Sequence, residues 1–226
     1  MIWIFSILIY LRAFLTFLIL GPIIIILMFI YPSLIYKIIP SFCKLMIYMF
    51  GCKINIQGKF PPNQHFVIMA NHSSFLDVFA VPCALKGKYS AIAAAKNFKI
   101  PIFSIFLKKL KTISIDRSNK HQAIGGINQA EKVLQSGYHI IILPEGTRTT
   151  NGKLGKLKKG GFHLAKNTSA NILPIITRGL FNIKPKNRWT LKPGLISINI
   201  GEPIYTQGKT IDDLIHETEN IFLNNI

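Results

Sequence analysis

Charge is scarce in this chain, and negative charge is scarcest. Only 16% of its 226 residues are charged, with nine Asp and Glu against 27 Lys and Arg, a formal net charge of +18. About a quarter charged is usual for a water-soluble domain, so an ordinary soluble surface is not expected. Half of the residues are hydrophobic, which excludes general disorder, because such a chain has ample apolar surface to bury. Cysteine is sparse too. Cys43, Cys52 and Cys83 fit neither a disulfide framework nor a C-x-x-C metal spacing, and no metal site is expected. No internal repeat or low-complexity linker breaks the chain. Apolar and basic together point to a membrane surface or an anionic ligand.

The missing charge is concentrated at the start. Residues 2–52 carry only Arg12, Lys37 and Lys44, and residues 13–36 are 24 uncharged residues in a row. As a helix that run is about 36 Å long at ~1.5 Å per residue, against a hydrocarbon core of ~30 Å. A secretory signal is not indicated: only Arg12 precedes the run, and no A-x-A-like site follows it. Gly21-Pro22 lies inside the run, and an interior proline kinks a helix. Two arrangements follow: one kinked transmembrane helix, or a hairpin hinged near Gly21-Pro22 and dipping into one leaflet. A buried helical pair of a soluble protein is the plain alternative. Lys37, Lys44, Lys53 and Lys59 follow the run, which by the positive-inside bias places the remainder in the cytoplasm.

Residues 53–226 read differently. Short apolar runs at 66–70, 90–95, 112–115, 139–143, 172–176 and 195–200 predict strands. Helix-like stretches at 74–85, 101–109, 121–135, 159–166 and 211–223 lie between or after them. The alternation predicts an α/β fold, a mixed or mostly parallel central sheet flanked by helices. The expected organisation is an anchoring helical segment, 1–52, and an α/β domain, 53–226.

Chemistry in such folds belongs at the ends of strands, and three charged groups fall there. Asn71-His72-Ser73-Ser74-Phe75-Leu76-Asp77 follows the strand at 66–70. His72 and Asp77 would sit about 140° apart on a regular helix. If the helix starts at Ser73 or Ser74, His72 can fold back onto Asp77. The carboxylate would then hold one ring nitrogen and leave the other as a base, a Ser-His-Asp arrangement without its serine. Ser74-x-x-Asp77 is equally a capping box, which needs no chemistry.

Pro144-Glu145-Gly146-Thr147-Arg148 follows the strand at 139–143. Turn amides, a hydroxyl and a guanidinium suit a phosphate, with Glu145 available to orient Arg148; a polar turn with a solvated Arg is the alternative. Ile115-Asp116-Arg117 places a charged pair after a third strand, where an ordinary surface ion pair is equally open. Asp77 and Asp116 are the only acids before residue 131, and both sit in these groups. The many lysines, among them Lys96, Lys99, Lys108, Lys109, Lys111, Lys153, Lys156, Lys158 and Lys159, read as a solvated or lipid-facing basic surface.

Asn71-His72-x4-Asp77, Ile115-Asp116-Arg117, Glu145-Gly146-Thr147-Arg148 and Leu173-Pro174-Ile175 stand in the order and at about the separations of the four motifs of one enzyme family. On these residues the chain resembles the PlsC-type 1-acyl-sn-glycerol-3-phosphate acyltransferases, over roughly residues 58–204. Ala94-Ala95-Lys96 before Ile100-Pro101, Lys158-Lys159-Gly160-Gly161-Phe162 and Gly201-Glu202-Pro203-Ile204 add lesser matches. Asn97 and Thr112-Ile113-Ser114 depart from the family's usual residues.

The resemblance implies that His72 is the general base toward the free hydroxyl of lysophosphatidic acid, with Asp77 holding its tautomer. Arg117, Glu145, Gly146, Thr147 and Arg148 would hold the acceptor's phosphate. Acyl-CoA or acyl carrier protein would supply the acyl group as co-substrate, with no other cofactor, no metal and no acyl-enzyme. The implied setting is the cytoplasmic face of a bacterial inner membrane, in contact with anionic lipid. Another lysolipid or a glycolipid is a possible acceptor under the same chemistry. A membrane-tethered basic protein binding anionic lipid or nucleic acid is the rival class; no nucleic-acid module or basic–aromatic interleaving supports a nucleic-acid partner.

Overall fold

The computed structural model describes residues 2–116 and 120–225. The chain opens with two helices, α1 (Ile2–Ile30) and α2 (Ile35–Met49), and then forms β1 (Lys53–Gln57) and β2 (Phe66–Ala70). A one-turn helix α3 (Asp77–Ala80) runs into a 3-10 turn, Val81–Ala84, followed by β3 (Tyr89–Ala94). A second 3-10 turn, Ala95–Lys99, leads to α4 (Phe103–Lys109) and β4 (Ile113–Ile115). Then come α5 (Lys120–Gln135), β5 (His139–Ile142), α6 (Gly160–Asn167), β6 (Asn171–Arg178), α7 (Leu180–Ile183), β7 (Leu195–Ile200) and α8 (Ile211–Leu223).

The strands form one seven-stranded sheet in the order β1-β7-β6-β2-β5-β3-β4. β6, β2, β5, β3 and β4 are parallel; β7 runs antiparallel to β6 and parallel to β1. The sheet is therefore mixed and mostly parallel, as the alternation of strands and helices requires. The six strands expected from the sequence are present within a residue or two. β1 is the addition: Lys-Ile-Asn-Ile-Gln is short and mostly exposed, so its hydrophobic alternation is weak. The helix expected at 74–85 is broken into α3 and the 3-10 turn that holds Pro82 near its start. Pro174 sits in β6 between two neighbours, yet β7 pairs only from Ile175 onward. Its missing N–H falls beyond the end of that ladder, where proline is tolerated.

Each face of the sheet buries its own core, as the period of two along a strand demands. Val67, Met69, Ile140 and Ile142 turn toward α5, α6 and α8, meeting Phe162, Leu214 and Phe222. Phe66, Ile68, Leu173, Ile175 and Ile198 turn to the opposite face, where the cover is α2 and the inner side of α1. From α2 and its C-terminal end, Ile35, Ile39, Phe42, Cys43, Met46, Ile47 and Phe50 are buried in that core. The segment expected as an anchor, 1–52, thus packs on the domain expected at 53–226: its helices complete one face of the α/β core.

The hinge is corrected. α1 continues unbroken through Gly21-Pro22, and the chain turns at 31–34, around Pro32. Gly21 faces Ile102 of the α/β body, where a Cβ would make an ordinary contact at 3.5 Å. α1 lies along the body for its whole length rather than leaving it. Trp3 packs on Trp189 with ring centroids 4.8 Å apart, Ser6 exchanges hydrogen bonds with Leu191, and Lys109 sits 3.2 Å over the Phe29 ring. Arg12, the lone charge of α1, donates Nε and Nη2 to the Met49 carbonyl at 2.9 and 2.7 Å. Its guanidinium caps the C-terminal end of α2, where carbonyls lack partners and positive charge is favoured. The outer row of α1, including Ile4, Phe14, Ile19 and Ile26, stays exposed. By length and composition α1 is also long and apolar enough to cross a membrane.

Candidate active site

β2 ends at Ala70, and the next seven residues fold back over the start of α3. His72 Nδ1 meets Asp77 Oδ2 at 2.6 Å. The same oxygen accepts the backbone N–H groups of Ser73 and Ser74, both at 3.0 Å. Only half of the expected capping box forms: Asp77 accepts the Ser74 amide on the oxygen that also holds the histidine, while Ser74 Oγ makes no bond to the Asp77 amide. Ser74 Oγ donates to the Lys184 carbonyl at 2.7 Å and accepts from the Leu76 amide at 3.3 Å, which completes the turn. With its Nδ1 proton given to a carboxylate, a neutral imidazole keeps a lone pair on Nε2. Asp77 is buried, and its Oδ1 has no partner among the described residues.

Asn71 fixes the end of β2 against β6. Its Oδ1 accepts the Thr177 amide at 2.7 Å, and its Nδ2 donates to the Thr177 carbonyl at 2.9 Å. Glu145 fixes it against the turn after β5. Its Oε1 accepts the His72 amide at 2.6 Å, its Oε2 accepts the Gly155 amide at 2.8 Å, and the Thr149 amide donates to the His72 carbonyl. Glu145 is buried, and burial raises its carboxyl above the ordinary range although both amides oppose the shift.

This corrects the expectation for Glu145. It neither reaches the cavity nor pairs with Arg148; among the described residues its partners are backbone amides. It staples the turn after β5 to His72. Gly146 has φ +73°, and a Cβ there would meet Lys158 Cε at 2.9 Å, so glycine alone fits the turn.

Beside His72 opens a cavity of about 390 Å³. Its polar side carries His72, Gly146, Thr147, Arg148, Lys96 and Lys186. From there it runs over one face of the sheet, past Ala93 and Ala91, to Tyr89, with Ile141 and Leu143 alongside. Four residue steps along β3 correspond to roughly 13 Å. Ile39, Phe42 and Cys43 of α2 and Phe106 of α4 roof the apolar part. Cys43 lies in that buried part, and desolvation pushes its thiol well up, so it is not poised as a nucleophile.

Three of the expected site residues, Gly146, Thr147 and Arg148, line the cavity with His72 and Asp77. Arg117 lies outside the described residues. Sequence reading missed Lys186, whose Nζ donates to Thr147 Oγ1 at 3.2 Å. It reaches the site from the connection after α7, and no spacing in the sequence signals that approach. Lys184 lies outside the cavity lining, its Nζ donating to the Pro185 carbonyl at 2.9 Å, with its charged form disfavoured by burial and then by Arg148 and Arg188. Among the described residues no group of three or more His, Cys, Asp or Glu side chains could hold a metal ion.

An imidazole held by a buried carboxylate, with cations beside it and an apolar cavity behind it, has the parts that base-assisted chemistry near an anionic group and a hydrocarbon chain would need. Residues 53–178 match the family model for acyltransferases, and the chain belongs to that family. It is 30% identical over 172 residues to 1-acyl-sn-glycerol-3-phosphate acyltransferase alpha of Mus musculus, covering 74% of this chain and 60% of that one. It is 29% identical over 179 residues to 1-acyl-sn-glycerol-3-phosphate acyltransferase of Cocos nucifera, covering 79% and 58%. The chain thus spans about three fifths of the length of these curated relatives. The crystal structure of the 1-acyl-sn-glycerophosphate acyltransferase PlsC from Thermotoga maritima shares the fold, with a TM-score of 0.88 and 24% identity over 99% of this chain and 95% of that one.

Proposed function

We propose that this protein transfers a fatty acyl group from acyl-CoA or acyl carrier protein to the free hydroxyl of 1-acyl-sn-glycerol-3-phosphate, giving phosphatidic acid. The observation that carries the proposal is His72, held by Asp77 at the mouth of the apolar cavity, with Arg148 and Lys186 beside it. The names of the relatives support this acceptor.

His72 Nε2 takes the proton of the acceptor's hydroxyl as its oxygen attacks the thioester carbonyl. The tetrahedral intermediate collapses, the C–S bond breaks, and the imidazolium returns the proton to the departing thiolate. Asp77 stabilises the imidazolium while it exists. General-base help of this kind contributes about 10²–10⁴-fold. The amides of Thr147 and Arg148 have no acceptor among the described residues and are available to the oxyanion. Arg148, with Lys186, grips the acceptor's phosphate through charge-assisted hydrogen bonds. The apolar cavity shelters the acyl chain of the donor. The scheme draws on no metal and no further cofactor.

The outer row of α1 enters the cytoplasmic leaflet of a bacterial inner membrane, with the helix in the plane of the membrane because it is docked along the body. The basic residues after it face anionic headgroups. The test is direct: purified protein is incubated with lysophosphatidic acid and each thioester in turn, and phosphatidic acid is sought by mass spectrometry. Formation of phosphatidic acid, absent with His72→Ala, supports the proposal. Acylation of an unphosphorylated lysolipid in preference to lysophosphatidic acid ends it.

A further inference from the structure

A second apolar space, an open groove of about 820 Å³, lies between α1 and α3. Ile7, Leu11 and Phe14 of α1 form one wall, and Val78 and Ile100 the other. The groove and the catalytic cavity are adjacent. Phe17, Phe75, Val78, Phe79, Asn97 and Phe103 line both. The groove is lined almost wholly by hydrocarbon and aromatic rings, and Leu11 and Phe14 also belong to the exposed outer side of α1. It therefore opens onto the apolar face of that helix, whereas the cavity ends among buried residues at Cys43 and Tyr89.

We infer that this groove holds the hydrocarbon chain of the acceptor lipid while its hydroxyl is at His72. The inference rests on the proposed acceptor. The reaction brings two hydrocarbon chains to one histidine, and the proposed function already places the donor's chain in the buried cavity. A donor arriving from water needs an enclosed site for its chain. An acceptor already in the leaflet needs only an open channel leading from the lipid-facing side to the base. Because a lipid tail is as apolar as the groove, the chain gains little free energy by moving into it. What it gains is orientation: chain in the groove, phosphate at Arg148 and hydroxyl at His72 fix the acceptor at three points.

The test uses the full chain in lipid nanodiscs. A lysophosphatidic acid carrying a diazirine near the end of its acyl chain is photolysed with the protein, and labelled peptides are mapped. Label at Leu11, Phe14 and Ile100, which line the groove and not the cavity, displaced by unlabelled lysophosphatidic acid, is expected. Label at Cys43 and Tyr89, or label that unlabelled lysophosphatidic acid does not displace, overturns the inference. Leu11→Trp and Ile100→Trp, which narrow the groove without touching the cavity, give a second readout. For a palmitoyl acceptor kcat/KM should fall by about tenfold through misplacement of the hydroxyl. For a hexanoyl acceptor it should hold, as should KM for the thioester. Equal losses for both acceptors overturn the inference. Failure of wild type to acylate either acceptor ends the proposed function instead, and the photolabelling map alone then decides whether the groove holds lipid.

Discussion

Asp77 carries two jobs on one oxygen, and two substitutions separate them. Oδ2 accepts from His72 Nδ1 at 2.6 Å and from the Ser73 and Ser74 amides at 3.0 Å each. In Asp77→Asn those two amides, both in buried residues, keep the side-chain oxygen turned toward them. The oxygen still accepts Nδ1–H, so the turn and the tautomer survive, and stability should hold within about 1 kcal/mol. What disappears is the negative charge that stabilises an imidazolium.

The kcat of Asp77→Asn should therefore fall by about 10²–10⁴-fold, or about 3–5 kcal/mol at ~1.36 kcal/mol per decade, with both KM values nearly unchanged. Asp77→Ala removes the acceptor altogether and leaves two buried N–H groups without partners. At about 1–3 kcal/mol each it should lose about 2–6 kcal/mol of stability as well as activity. Thiol release from the acyl thioester with lysophosphatidic acid measures kcat and KM, and denaturant titration measures stability. An Asp77→Asn protein that keeps its kcat while Asp77→Ala loses only stability would refute the reasoning and leave a helix cap.

Other expectations follow from the same geometry. Arg148→Ala should lower kcat/KM for lysophosphatidic acid by at least about tenfold, since each lost charge-assisted hydrogen bond is worth about 1.5–3 kcal/mol; Arg148→Lys should recover part of this, and equal losses toward monoacylglycerol would refute the clamp. Ala91→Phe, which fills the cavity midway between its mouth and Tyr89, should shift preference to shorter acyl donors, as a chain-length series of thioesters would reveal. A chain beginning at Lys53 should fail to fold, because it loses the buried α2 residues that cover one sheet face; a cooperative unfolding transition in that fragment would contradict the shared core. His139 is held neutral in the fold, pushed down to about 4 chiefly by burial and then by His65, and its Nδ1 accepts the Phe66 amide at 3.1 Å. The unfolded chain takes up this proton near pH 6.5, so stability should fall as pH drops from about 6.5 to 4, by roughly 3 kcal/mol in all. His139→Gln should flatten that dependence, and an unchanged pH profile would show that other groups set it.

The sequence by itself determined the layered α/β class, six of the seven strands and the residues of the pair. Alternating apolar runs admit few other folds, and a chain with so few acids made Asp77 conspicuous after a strand. It also marked Gly146, Thr147 and Arg148, because glycine, hydroxyl and guanidinium in one turn have a recognisable use.

Only the tertiary structure decided what those residues touch. Glu145 looked like a partner for Arg148 because they are neighbours in the chain, yet its carboxylate faces the amides of His72 and Gly155. Lys186 joined the site across 39 residues of chain through its bond to Thr147. The N-terminal helices read as a detachable anchor because hydropathy records how apolar a segment is and not which side is buried. Ile47 is wholly inside and Phe14 largely outside, though both are hydrophobic residues of the charge-poor segment 2–52. The difference is set by contacts with strands far along the chain, which no local pattern contains.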